Sequence, residues 1–271
     1  MQLDPFRIRD HVADFDRIVQ EIVRRSEAAR ATIARAADVP YGPGAAETVD
    51  LFFPAGERQA LPVHMFIHGG YWRMFSKRDY SYIADTVTRA GAMAVIVDYA
   101  LMPMVRMAAI VDQVRRAKKW VLDHIAGYGG DPGSLTVSGH SAGAHLATML
   151  FDEGNSPSEI KGALLLGGLY DLKPLQNSFL AAEIGITDEE AAEFSPLNHR
   201  FDKSVSVKIL VGADETAPFH AQADEFAKLL GSQGLAVSKG TLPGSNHMSS
   251  VRDLGVPGTQ EAKMLASIFR A

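Results

Sequence analysis

Ser141 lies in the run Gly139-His140-Ser141-Ala142-Gly143, after the short apolar stretch 135–138 and before the small-residue stretch 142–151. The G-x-S-x-G spacing demands an abrupt strand-turn-helix. The serine occupies a strained turn whose flanking backbones approach so closely that only hydrogens fit at the two glycines. In a chain with 24 glycines the pattern can arise by chance, so the flanking segments and the rest of the chain must supply the context.

That context is an alternation of short apolar runs and helical patterns. Ile8, Val12, Phe15, Val19, Ile22 and Ile33 recur at helical spacing, which predicts a long amphipathic helix over 8–36, broken at most once. It either packs on the sheet or caps a site. Residues 1–40 are thus expected to be an N-terminal helical segment, closed by Pro40, Gly42, Pro43 and Gly44. Strands are expected at 47–53, 62–68, 92–97, 135–138, 162–166, 205–211 and 235–241. Helices are expected at 79–90, 107–125, 142–151, 188–194, 219–230 and between Pro257 and Phe269. Strand-helix alternation of this kind gives an α/β fold with a mostly parallel central sheet and helices on both faces. The 271 residues, 46% of them hydrophobic, suit one domain. Segment 167–204 is too short for a second core, but long enough for a partial lid.

A serine hydroxyl at neutral pH needs a general base, and the base needs an orienting acid. With the elbow ahead of both, these should follow in the order serine, acid, histidine. His247, in Pro243-Gly244-Ser245-Asn246-His247-Met248, follows the last expected strand at the carboxyl edge of the sheet, where ligands gather. Val211-Gly212-Ala213-Asp214-Glu215-Thr216 also follows a strand and offers two adjacent carboxylates, of which only one can face an imidazole. The stiffer Asp214 and the longer Glu215 both remain candidates. The oxyanion donors are expected to be the Ala142 N–H and the Gly69-Gly70 backbone after the second strand, with His68 anchoring that loop. Tyr71, Trp72 and His140 are candidate substrate contacts, and Arg73, Lys77, Arg78 and Arg106 are cations that could meet a substrate carboxylate.

The charge balance narrows the partners. With 27 basic and 32 acidic residues intermixed and a net charge of −5, the chain has no basic stripe to track nucleic acid. It has no cysteine, so disulfides, thiolate nucleophiles and cysteine metal sites are excluded. Residues 1–10 carry four charges and no apolar core of the signal-peptide kind, and no run approaches membrane-spanning length. The expectation is a cytoplasmic hydrolase acting on a small-molecule substrate without metal or cofactor.

Together, H-G-G-Y-W at 68–72, G-H-S-A-G at 139–143, the G-A-D-E segment and the late His247 resemble the kynurenine formamidase (arylformamidase) branch of the α/β-hydrolases. Tyr41-Gly42, residues 99–103 and Phe219-His220-x-Gln222 are similar to it as well, so the likeness spans most of the chain. The resemblance implies an α/β-hydrolase fold and cleavage of a small acyl group from an amide or ester. It places the triad acid four residues before Phe219, on Glu215 rather than Asp214. Eukaryotic members often have aspartate there, a departure with compatible chemistry. Bacterial members of the branch are often described as esterases or thioesterases, so those activities are the alternative, and a non-catalytic ligand receptor on the same scaffold is the minor one.

Overall fold

Apolar runs with no polar alternation need neighbours on both faces, and the centre of the sheet meets that need. The computed structural model describes residues 3–269. In chain order they form α1 (Ile8–His11), α2 (Phe15–Thr32), β1 (Arg35–Pro40), β2 (Thr48–Phe52), β3 (Leu61–Ile67), α3 (Ile83–Arg89), β4 (Met93–Val97) and α4 (Met107–His124). These lead into β5 (Gly130–His140), α5 (Ala142–Thr148), β6 (Ile160–Leu166), α6 (Leu180–Glu183), α7 (Asp188–Phe194) and β7 (Ser206–Gly212). The chain closes with α8 (Ala217–Ser232), β8 (Val237–Leu242), α9 (His247–Leu254) and α10 (Gln260–Ser267). The eight strands make one sheet in the order β1-β2-β4-β3-β5-β6-β7-β8. Pairs β1–β2 and β2–β4 are antiparallel and the rest parallel. Every residue of β4 is buried, as expected of a strand covered on both faces. Among the described residues no helix is long and apolar enough to cross a membrane.

Register decides which loops become neighbours. Ile67 of β3 pairs with Gly139 of β5, so the Gly69-Gly70 loop and the Ser141 turn leave the sheet side by side. Gly212 of β7 pairs with Leu242 of β8, which brings the Glu215 and His247 segments together in the same way. Leu166 of β6 links the two halves, pairing with His140 on one side and Leu210 on the other.

Several elements differ from expectation: α3 begins only at Ile83, β5 begins already at Gly130, α5 ends at Thr148, and the short α6 has no expected counterpart. The first long helix stops at Thr32, with Ile33 already extended, and 35–40 is not helical but the edge strand β1. That strand is largely exposed and bulged between Ala36 and Val39, so it carries no apolar period to read. The bulge is organised by Asp50, buried completely, whose Oδ1 accepts from the Asp38 N–H at 2.8 Å. Arg30 pairs with Asp50, and the Lys77 ammonium lies 2.6 Å from Asp38 and 3.0 Å from Asp50. Residues 247–254, for which no helix is expected, are the helix α9, opened by Asn246 as a side-chain cap over Met248 and Ser249. The break in the N-terminal helix falls at 12–14, between α1 and α2.

Burial also sets a pH dependence. His64 is fully enclosed between Thr136 (2.9 Å) and Ser138 (2.6 Å), and burial pushes its pKa down from 6.5 to about 3. Burial likewise lowers His145 to about 4. Such residues fold neutral but are protonated when unfolded, so their contribution is full above the unfolded value and is lost as pH falls toward the folded one. His199, raised chiefly by Asp152, acts in the opposite sense. Stability measured by urea denaturation is expected to fall between pH 7 and pH 5, by about 1.4 kcal/mol per pH unit below pH 6.5 for each buried neutral histidine. A midpoint unchanged across that range would contradict it.

Candidate active site

Ser141 has φ +56° and ψ −120°, a conformation that non-glycine residues hold only under external constraint. The constraint is close packing. A Cβ at Gly139 would sit 2.1 Å from the Gly143 oxygen, and one at Gly143 would sit 2.0 Å from the oxygen of Ile67. The Ser141 N–H donates to the Leu166 oxygen at 2.8 Å, and its carbonyl accepts from Ala144 and His145 at 3.0 and 3.1 Å. Ala142 and Gly143 therefore precede the first intrahelical donor of α5, and their N–H groups point along the helix start. Gly69 is adjacent, since a Cβ there would lie 3.3 Å from the Ser141 Cβ.

The acid and the histidine form a second unit. The His247 Nδ1–H donates to Glu215 Oε2 at 2.6 Å, and Glu215 Oε1 accepts from the Gly212 N–H at 2.8 Å. The Glu215 side chain is wholly buried, so these donors replace water around its carboxylate. Asp214 is exposed and engages Ser245 only through its backbone N–H, at 3.0 Å. Of the two adjacent carboxylates, Glu215 is the one that meets the imidazole. Gly167, which sequence reasoning used only to mark the start of a segment, packs on this pair. It has φ +53°, and a Cβ there would lie 3.0 Å from His247 Nδ1.

Ser141 and His247 line one small cavity of about 40 Å³, walled by Ile8, Phe15, Gly70, Tyr71, His140 and Met248 among others. A larger cavity of about 310 Å³ shares Ile8, Phe15, Tyr71 and Met74 with it and opens past Arg7, Phe179 and Glu183. The N-terminal segment thus caps the site, and its long helix α2 packs on α9 and α3. It is strapped down where Thr216 donates to the Pro5 oxygen (2.7 Å) and where the Phe179 N–H donates to Asp4 (2.5 Å). The Tyr71 hydroxyl donates to the Phe6 oxygen. Phe179 and Glu183 come from segment 167–204, which reaches the mouth of the larger cavity.

Several expected substrate contacts have other partners. Trp72 is fully buried, and its indole N–H donates to His145 Nδ1 at 3.2 Å. It holds the loop against α5 and is not among the residues lining either cavity beside Ser141. His140 lines the small cavity, but its Nε2 is 2.9 Å from the His247 carbonyl oxygen. Arg73 pairs with Glu183 at 2.9 Å, Arg78 lies 3.6 Å from Asp38, and Arg106 pairs with Glu190. With Lys77 held by Asp38 and Asp50, all four candidate cations are paired with carboxylates of the chain. His68 is the expected anchor. Its ring stacks on Tyr99 at 4.2 Å, its Nδ1 is 2.8 Å from the Gly69 oxygen, and the Tyr99 hydroxyl donates to the His68 carbonyl at 2.9 Å.

Comparison with known proteins agrees with this fold. The model of a family described as having the alpha/beta hydrolase fold matches residues 64–250. Kynurenine formamidase of Danio rerio is 32% identical over 241 residues, covering 84% of this chain and 80% of that protein. Esterase LipQ of Mycobacterium tuberculosis is 29% identical over 244 residues, covering 79% of this chain and 57% of that protein. A Silicibacter structure described as a candidate thioesterase superposes with a TM-score of 0.86 over 100% of both chains at 24% identity. An esterase of Pyrobaculum calidifontis superposes with a TM-score of 0.78 at 18% identity, over 94% of this chain and 91% of that one. These two structures are likenesses of fold. The family match spans more than half of the chain, which belongs to the alpha/beta hydrolase fold family.

The two neighbouring carboxylates should separate on substitution. Glu215→Gln is expected to lower turnover of an aryl acetate on the order of 10²-fold or more, because the imidazole loses its orienting acceptor. Asp214→Asn should stay within about twofold, as surface changes do. Comparable losses in both variants would contradict the assignment of the pair.

Proposed function

We propose that this member of the α/β-hydrolase family is a serine hydrolase that removes a small acyl group from an aromatic or otherwise bulky amine or alcohol, with arylformamidase-type chemistry as the leading activity. The observation that carries the reading is the buried Glu215–His247 pair, whose histidine lines a 40 Å³ chamber together with a serine held at φ +56°. Ser141 Oγ attacks the substrate carbonyl while the second ring nitrogen of His247 takes the hydroxyl proton. The forming oxyanion is met by the Ala142 N–H and by the Gly69-Gly70 backbone. His247 returns the proton to the leaving nitrogen or oxygen, and a water activated by the same imidazole releases the acid and frees the serine.

Chamber size supports a short acyl group. At roughly 10–15 Å³ per water-sized group, 40 Å³ accommodates about three such groups, the scale of formyl or acetyl, beneath Ile8, Phe15 and Met248. The 310 Å³ cavity beyond offers the leaving group the apolar faces of Phe15, Tyr71 and Phe179. Likeness to a kynurenine formamidase supports amide cleavage, and likeness to a mycobacterial esterase supports an esterase as the second reading, with thioesterase activity as its variant. A cytoplasmic location accompanies either reading.

The test is a substrate panel comprising N-formylkynurenine and matched formyl, acetyl, butyryl and octanoyl aryl esters, amides and thioesters, run with the protein and with Ser141→Ala. Formyl and acetyl substrates are expected to lead, with kcat/KM falling about tenfold or more from acetyl to butyryl as the added methylenes overfill the chamber. Preference for octanoyl, or tight binding without turnover, would overturn the reading. N-formylkynurenine falling far below the aryl esters would favour the esterase.

A further inference from the structure

The residue before the nucleophile is His140, and its ring reaches across the site to the chain that carries His247. We propose that His140 is a positioning residue, which ties the main chain of the histidine base to the turn that presents Ser141. The inference rests on the roles given above to Ser141 and His247.

His140 Nε2 lies 2.9 Å from the His247 carbonyl oxygen. A carbonyl only accepts, so Nε2 carries the proton. In a neutral ring Nδ1 is then an acceptor, and the Tyr80 hydroxyl faces it at 3.5 Å. Burial, together with the neighbouring His247, holds His140 well below the usual histidine range and so neutral. Both ring nitrogens are thereby engaged within the protein, which leaves His140 as a wall of the cavity and a link between its two reacting side chains.

Two details separate positioning from simple stability. The His247 carbonyl also accepts from Ser250 Oγ at 3.1 Å, so it keeps a partner when His140 is removed. The His140 ring stands 4.5 Å from the His247 ring, centre to centre, with Phe219 at 4.6 Å from the same imidazole. His247 is the first residue of α9, and the His140 bond pins that helix start to the elbow. Because Ser141 follows His140 directly, any shift of the nucleophile turn carries the base with it. Misplacement of a catalytic group by about 1 Å can cost on the order of 10²-fold in rate.

His140→Ala and His140→Gln test the link, because a glutamine amide N–H can donate to the same carbonyl. Two readouts are taken from each folded variant: kcat and KM on an aryl acetate, and the low-field proton resonance of the His247 Nδ1–H···Glu215 bond. The alanine variant is expected to lose about tenfold or more in kcat with KM within about twofold, and to broaden the resonance. The glutamine variant should recover most of kcat and a sharp resonance. A kcat within about twofold of the parent in the alanine variant, or a glutamine variant no better than alanine, would overturn the proposal. If the parent protein turns over nothing, the functional reading fails, and the resonance still decides the positioning. A sharp unshifted signal in the alanine variant refutes it, and a broadened one recovered by glutamine supports it. If alanine does not fold, Tyr80→Phe combined with His140→Gln replaces it. Loss of the tyrosine hydroxyl should lower kcat in the parent but not further in the glutamine background, and equal effects in both would count against the link.

Discussion

A carboxylate stripped of water is costly unless donors surround it, and Glu215 is in that position, with its side chain wholly buried. The Gly212 N–H at 2.8 Å and the His247 Nδ1–H at 2.6 Å take the place of solvent. The same requirement dictates the histidine's orientation. With Nδ1 committed to the acid, the opposite ring nitrogen is the one left for a role in the chamber that His247 shares with Ser141. Parallel pairing of β7 and β8 delivers both residues to one edge. The sheet therefore supplies the proximity, and the buried charge supplies the ring's orientation and tautomer.

The elbow is held by contact rather than by one strong interaction. Its strained serine persists because Gly139 and Gly143 allow β3, β5 and α5 to meet at distances that no side chain could tolerate. Around it, buried aromatics act as struts more than as ligand contacts. Trp72 reaches His145, Tyr99 reaches the His68 carbonyl, and the Tyr82 hydroxyl reaches the Val251 oxygen at 2.7 Å on α9. His140 adds a direct tie between the Ser141 turn and the start of α9.

Much of this was legible because the central strands are continuous apolar runs and glycine marks where each one ends. Those signals located the elbow, the His68-Gly69-Gly70 loop and the carboxylate and histidine segments in fold order. What they could not show depended on partners distant in sequence. Arg73, Lys77 and Arg106 read as unassigned cations until Glu183, Asp50 and Glu190 were placed against them. Trp72 read as a substrate contact until His145 stood behind it. Edge strand β1 is exposed and bulged, so it has no period. Helix α9 did have a signal, a capping asparagine with serine three residues on, hidden within a Pro-Gly-Ser run. Asp214 and Glu215 differ by one position, and only the burial of Glu215 and its bond to His247 separate them.

The central claim is that Ser141, activated by the His247–Glu215 unit, accepts an acyl group. Rapid acid quench of the protein with an aryl acetate, followed by mass analysis of its peptides, tests this most directly. The account predicts one acetyl group, on the peptide containing Ser141, appearing in step with the burst of released phenol and absent from Ser141→Ala. Steady release of phenol with no acetylated Ser141 peptide, or the same adduct surviving the Ser141 substitution, would contradict it.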